Sequence, residues 1–214
     1  RKLRWQSFAQ IYHHPLPTWR AAAPSSGFVL QTLFTYAAHR REQWSLRYRL
    51  TSKQQTIPQH APLLQWVTRQ GLRLQHQYSF GAWAWQTNLD GAMTRQQMSS
   101  TPHFGAMLSL RLRYAPQTAW QASAFVGVFS AEHFDARLFV YQPQLPSTGA
   151  FPSFYGTGCS GVAVATWTPS RAWSLSARVG LTQHWSRPFT SSTSRSAVDP
   201  TLSFQGGLWL RHRF

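Results

Sequence analysis

The chain has 214 residues, with 21 lysines and arginines against 5 acidic residues, and a formal net charge of +16. Charged residues make up only 12% of it, whereas a soluble domain carries about 25%, and no run of 18 apolar residues offers a transmembrane helix. Aromatic residues make up 15% and include 11 tryptophans, which suits a protein at a lipid–water interface.

Apolar and polar residues alternate along much of the chain, the period of a β-strand whose two faces meet different surroundings. In the segment from Trp44 to Leu50, for example, apolar side chains oppose Ser45, Arg47 and Arg49. In chain order, we predict ten strands at about 1–12, 28–38, 44–50, 70–88, 108–114, 119–130, 133–142, 158–168, 173–182 and 202–214.

The last predicted strand has the clearest alternation and ends in a phenylalanine. Its apolar face carries Leu202, Phe204, Gly206, Leu208, Leu210, His212 and Phe214. This ending resembles the C-terminal β-signal of outer-membrane proteins, which the barrel-assembly machinery reads. The resemblance implies an insertion signal made of Leu208, Leu210, His212 and Phe214, in which His212 replaces the usual apolar or aromatic residue.

These patterns predict an all-β fold, a closed antiparallel transmembrane β-barrel of about ten strands (8–12), in the bacterial outer membrane with its C-terminus in the periplasm. A soluble β-sandwich is the structural alternative. We expect residues 1–214 to form one barrel domain. Because the chain begins at Arg1 without a signal peptide, we also expect it to be a mature fragment or the C-terminal portion of a longer protein.

Connection lengths provide a check on this barrel, since such proteins have short periplasmic turns and long external loops. Seven of the nine predicted connections fit, including Ser130–Glu132 as a short periplasmic turn. The two that do not fit are adjacent: Pro116–Thr118 is short on the external side, and 89–102 is long on the periplasmic side. A misreading of the long 70–88 segment is one explanation of both.

From Phe104 onward the chain also resembles a family. The matching stretches are GAMLSLRLRYAP, FDARLFVYQPQL, FPSFYGTGCSGVAVATW and WSLSARVGLTQHW. They are similar to the C-terminal barrel region of Bacteroidota outer-membrane proteins that carry a helix-hairpin-helix domain before the barrel. Family members usually have an acidic residue near Gln142. The helical module is not within these 214 residues, so its DNA-binding role transfers to no residue here.

Arginines recur on the strand faces opposite the apolar stripes, and in a barrel these faces line the lumen. One interpretation is an interior that attracts anions, or a path for DNA or phosphate. The other is structural: a narrow barrel filled by arginines bonded to Gln, Ser, Tyr and backbone carbonyls. The predicted lumen-facing basic residues are Arg47, Arg49, Arg73, Arg111, Arg113, Arg137, Arg178, Arg211 and Arg213.

Few residues are candidates for chemistry. Asp135 and Arg137 lie two apart on one predicted strand, and we expect a lumenal ion pair. The histidines, among them His13, His14, His39, His60 and His103, lack the spacing and partners of a metal site. We therefore expect no metal, no cofactor and no catalytic residue. Most of the tryptophans are predicted to form interfacial belts; they are Trp5, Trp44, Trp66, Trp83, Trp85, Trp120, Trp167, Trp173, Trp185 and Trp209.

Three functions remain open. We favour a non-enzymatic structural or accessory subunit of an outer-membrane assembly. The alternatives are a transport or DNA-uptake barrel with a basic lumen, and a barrel enzyme that modifies lipid or lipopolysaccharide. The expected partners are outer-membrane lipid and lipopolysaccharide, the barrel-assembly machinery, and other outer-membrane or periplasmic proteins. The basic excess also suits nucleic acid, although these residues do not support it, and a GC-rich genome is the ordinary explanation.

Overall fold

The computed structural model describes residues 2–18, 21–56, 64–97, 101–146, 151–186 and 201–212. Strands dominate the described residues, and the one helical element is a short 3₁₀ helix at Phe134–Ala136. In chain order the strands are β1 Lys2–His14, β2 Ser25–His39, β3 Glu42–Thr56, β4 Leu64–Phe80, β5 Trp83–Gln96, β6 His103–Tyr114, β7 Trp120–Ala131, β8 Leu138–Phe139, β9 Ser153–Phe154, β10 Gly156–Trp167, β11 Trp173–Ser186 and β12 Thr201–His212. Among the residues that the structure describes, no helix is long and apolar enough to cross a membrane.

Ten of these strands form one antiparallel sheet, so the all-β prediction and the number of sheet strands are confirmed. Each strand pairs with the next along the chain, except that β7 pairs with β10, and β8 and β9 form a separate two-stranded ladder. The strands at the two edges of the sheet are β1 and β12, which do not pair with each other in the described part of the chain. The closed barrel therefore stays a prediction.

Two of the predicted strands are wrong, and the errors cancel in the count. The 70–88 segment is not one strand, because Gly81 adopts a positive φ of 56° and the chain reverses between Phe80 and Trp83. Glycine takes this conformation at no steric cost, which makes it a natural turn residue. The 133–142 segment is not part of the large sheet, since it holds the 3₁₀ helix and β8.

With the strand bounds of the structure, the short connections of the large sheet all lie at one end and the long connections at the other. At one end of the sheet, here called the short-connection end, the links are no longer than 5 residues: 40–41, 81–82, 115–119 and 168–172. At the long-connection end they have 6 or more: 15–24, 57–63, 97–102, 132–155 and 187–200. The two misfits disappear, and Ser130–Glu132 proves to be no turn, because β7 runs to Ala131 and the longest connection follows.

The sheet has two unlike faces. On β6, Leu108 is 56% exposed whereas Met107 is 1% exposed, and the same alternation recurs on the strands that follow. We call the face of Leu108 the outer face and the face of Met107 the inner face. Large apolar side chains are exposed on the outer face from β1 to β12, including Trp5, Leu46, Leu72, Leu89, Val126, Val179 and Leu208.

The described parts of the connection 132–155, residues 132–146 and 151–155, fold back over the inner face, and we call them the inner segment. Its Leu138, Val140 and Phe154 are buried with Met107, Phe125 and Phe129 of the sheet in one hydrophobic cluster. The Phe129 and Phe154 rings lie 4.9 Å apart between centroids. The core of the protein therefore lies between the sheet and this segment, while the outer face is left uncovered.

Candidate binding cavity on the inner face

Most of the predicted basic residues share the inner face. Directly paired residues of neighbouring antiparallel strands point to the same face, and Arg47 pairs with Arg73, which pairs with Asp90. Seven of the nine lie there: Arg47, Arg49, Arg73, Arg111, Arg113, Arg178 and Arg211. Arg137 belongs to the inner segment, and Arg213 lies outside the described residues.

The arginines of the sheet hold the backbone of the inner segment at regular intervals. Arg69 donates a hydrogen bond to the carbonyl oxygen of Arg137, and Arg73 donates to that of Phe139 at 3.1 Å. Further along, Arg178 donates to the carbonyl of Pro143 at 3.3 Å. These bonds satisfy carbonyl groups of the segment from the large sheet, and Phe139 pairs in addition with Ser153 in the β8–β9 ladder.

Side chains of the segment complete the contact with the arginines. The guanidinium of Arg111 lies 4.6 Å from the ring centroid of Tyr141, and that of Arg69 lies 5.5 Å from Phe139. Both are cation–π contacts. Residues 137, 139, 141 and 143 thus each meet an arginine of the sheet, while Leu138 and Val140 turn into the core.

One buried ion pair fixes the centre of this arrangement. The Nε of Arg73 donates to Oδ1 of Asp90, whose exposed fraction is 6%. A buried carboxylate is stable only when it is paired. Asp90 was missed in the sequence because the 70–88 error hid β5. Arg69 was not among the predicted basic residues, although it lies four residues before Arg73 on the same strand and therefore shares its face.

The prediction that Asp135 and Arg137 lie on one face of a strand is wrong. Asp135 is in the 3₁₀ helix, and Arg137 caps the C-terminus of that helix. Asp135 accepts a hydrogen bond from Nε2 of Gln96 at 2.8 Å and lies 3.3 Å from Nδ1 of His133. Arg137 donates to the carbonyl of Phe134 at 3.0 Å. The direct ion pair between Asp135 and Arg137 stays a prediction.

A cavity of about 360 Å³ lies between the inner segment and the walls of β3, β4 and β5. Two carboxylates, Asp90 and Asp135, face six basic side chains around it. The basic residues are Arg47, Arg49, Lys53, Arg69, Arg73 and Arg137. Such an excess of positive charge makes the cavity a place for anions.

The predicted histidines do not gather in one place. Nδ1 of His13 lies 2.9 Å from Oγ of Ser26, whereas His103 stacks on His133 at 4.3 Å. His60 lies outside the described residues. Within the described ranges, no group of three or more His, Cys, Asp or Glu is placed to hold a metal ion.

Aromatic residues form a rim on the outer face at the short-connection end. Six pairs of rings with centroids 4.2–6.1 Å apart follow one another around the sheet: Trp5–Phe34, Trp44–His76, Tyr78–Trp85, Trp83–Tyr114, Trp120–Trp167 and Trp173–His212. We call these residues the aromatic rim. Trp66 and Trp185 lie near the other end, and Trp209 shares the inner face with Arg211.

The residues of the predicted insertion signal follow the outer face of β12. Leu208 and Leu210 are 78% and 64% exposed, and His212 stacks on Trp173 at 4.3 Å. Phe214 lies outside the described residues. The histidine that departs from the usual pattern therefore belongs to the aromatic rim.

Comparison with known proteins assigns the chain to no family. No protein-family model, curated protein or solved structure matches the chain. The resemblance to Bacteroidota outer-membrane proteins stays a prediction.

Proposed function

We propose that the chain forms a closed ten-stranded barrel in the bacterial outer membrane and acts there as a non-enzymatic accessory subunit of a membrane assembly. The observation that carries the proposal is the contrast between the two faces of the sheet. One face exposes apolar side chains from edge to edge, and the other carries most of the predicted basic residues and an apolar cluster that the inner segment covers. This is the arrangement expected when lipid lies outside and the chain fills its own interior.

The outer face supports the membrane location. A contiguous exposed apolar surface larger than a few hundred Å² marks an interaction site, and here it extends over all ten strands. The strands have 12 to 17 residues, and about 9–11 residues cross the hydrocarbon layer. The aromatic rim then lies where tryptophan and tyrosine are enriched, at the boundary between lipid and water.

Closure follows from the same surroundings. Hydrocarbon offers no partner to the free N–H and C=O groups of a sheet edge, so membrane strands occur in closed barrels. In a closed ring β1 and β12 meet antiparallel, because β1 leaves the short-connection end and β12 returns to it. By analogy with such barrels, the short-connection end and the C-terminal end of β12 face the periplasm.

The filled interior supports an accessory role over an open pore. About 8 strands just enclose side chains and about 16 leave an aqueous channel, so a ten-stranded ring is narrow. The inner segment occupies much of it and is held by arginine bonds to its carbonyls. The outer wall and the long connections remain as surfaces for other outer-membrane or periplasmic proteins.

Disulfide trapping tests the closure. In a cysteine-free background, a cysteine at Ala9 of β1 is combined in turn with one at Phe204, Gly206 or Leu208 of β12, all outer-face positions. We expect one combination to form a disulfide in isolated outer membranes, and a combination of Ala9 with Leu108 of β6 to form none. Failure of all three β12 combinations would contradict a closed ring.

Purification tests the role. We expect the protein, extracted from outer membranes in mild detergent, to retain a fixed set of outer-membrane partners and to be silent in planar bilayers. A purely monomeric preparation would contradict the accessory role. Steady single-channel conductance would instead support the second candidate, a transport barrel, which the basic cavity favours.

A further inference from the structure

Arg47 and Arg49 differ from the other arginines around the cavity. Arg69, Arg73 and Arg137 each donate hydrogen bonds to backbone carbonyls, and Arg73 also pairs with Asp90. Arg47 and Arg49 donate none to any residue in the described part of the chain, although both face the cavity. Each guanidinium has five N–H donors in a planar fork, so two complete forks remain available.

Asp90 attracts Arg47 as well as Arg73, but the two carboxylates of the cavity do not balance its six cations. Asp90 is engaged by Arg73, and Asp135 accepts from Gln96. Arg47 lies directly opposite Arg73 in the sheet, so like charges adjoin. Arg47 is half-buried and Arg49 is exposed. An unbalanced charge is costly where it is buried, so an anion from solution would relieve that cost at Arg47 above all.

Size limits what the anion can be. The cavity has a volume of about 360 Å³, near the lower end of the range of about 300–1,000 Å³ for small-molecule sites. The inner segment closes it on one side, so an extended nucleic acid has no room there. The site suits a compact anion that carries a high charge.

We propose that this cavity binds a small water-borne anion with two or more phosphate groups, held by the guanidinium forks of Arg47 and Arg49. Arginine forks match phosphate oxygens in bidentate geometry. The two residues are separated by one position on β3, about 7 Å along the strand, a spacing that lets each fork bind a different phosphate group of one anion. Lys53, on the same wall, adds charge without a fixed direction.

The anion reaches the cavity from water and not from the lipid. The cavity lies on the inner face, and the sheet separates it from the outer face, so a phosphate on a lipid headgroup does not reach it. This last step rests on the proposed membrane orientation, whereas the binding site itself does not.

Calorimetric titration of the full chain, refolded in nonionic detergent at low salt, tests the site with sodium pyrophosphate as the probe. We expect one saturable site whose affinity falls at least tenfold in the Arg47→Gln, Arg49→Gln double variant. The matched control is Arg113→Gln, also on the inner face but outside the cavity, and it should bind pyrophosphate as the unchanged chain does.

Three results would overturn the site itself. These are no saturable binding by a chain that shows heat-modifiable gel migration, an equal loss in the Arg113→Gln variant, or tighter binding of a single-stranded oligonucleotide that depends on the same two arginines. Detergent micelles doped with phosphatidic acid form a further arm. If they compete with pyrophosphate for the site, the phosphate source is a lipid and the water-borne assignment is wrong. Heat-modifiable migration reports the folded barrel separately, so loss of binding and failure of the proposed function are distinguishable.

Discussion

Gly105 of β6 lies directly beneath the inner segment, and an added methyl group there should push the segment away. A Cβ at this position would collide with the carbonyl oxygen of Ala136 and lie 3.2 Å from Cβ of Ala131. Overpacking of this kind costs about 1–3 kcal/mol. At Gly91, on the outer face of β5, a Cβ meets nothing within 4 Å.

The two alanine variants therefore form a matched pair. Each gains about 0.4–1 kcal/mol from reduced freedom of the unfolded chain, so the difference between them is the collision alone, about 1–3 kcal/mol. Urea unfolding in detergent, followed by tryptophan fluorescence, measures this difference in the free energy of unfolding. Trypsin cleavage after Arg137 should also be faster in Gly105→Ala. Equal stability and equal cleavage rates in the two variants would refute the position given to the inner segment.

Three further substitutions test the rest of the arrangement. Phe129→Ala removes the partner of Phe154 in the core and should destabilise the chain by about 3–5 kcal/mol in urea unfolding. Leu108→Arg, at the middle of the outer face, should cost about 2–4 kcal/mol in the free energy of folding into lipid vesicles. Asp90→Asn removes the ion pair of Arg73 and should cost about 3 kcal/mol, the lower end for a buried pair, because the side chain of Arg73 is 19% exposed.

Each of these three substitutions has a control variant, either on the same strand or with the same change of residue type. Val128→Ala, beside Phe129 but on the outer face, should cost far less in detergent. Leu112→Arg, closer to the end of β6, should cost less than Leu108→Arg, and equal costs would contradict a lipid-facing surface. Asp135→Asn, at a more exposed acid, should leave unfolding nearly unchanged; a loss as large as that of Asp90→Asn would contradict the central role of Asp90.

Alternation in the sequence predicted the two faces of the sheet because an exposed apolar face and a face turned to the core select residues with a strict period of two. Arg47, Arg49 and Leu108 all lie on the face that this parity assigns to them. The same signal could not distinguish a sheet strand from the inner segment. Burial also alternates over residues 137–142, since Arg137, Phe139 and Tyr141 each meet an arginine of the sheet, although only Leu138 and Phe139 pair with another strand there.

The parts of the cavity that sequence reasoning missed depend on partners distant in the chain. Asp90 becomes significant only once Gly81 is recognised as a turn, since β5 then lies beside β4 and brings Asp90 to Arg73. Which arginines remain unbonded depends on where the inner segment lies. Nothing local distinguishes Arg47 from Arg73, so the binding cavity required the structure.

The course of the inner segment also has a consequence for the order of folding. Nearly every strand pairs with its neighbour in sequence, and such local hairpins form early because little chain entropy is lost in closing them. The β7–β10 pair is different, because it must enclose the 24 residues between Ala131 and Gly156. We expect this pair to be the slow internal step. If the barrel closes as proposed, the inner segment should settle onto the inner face before β1 and β12 meet, since later it would have to enter a narrow ring.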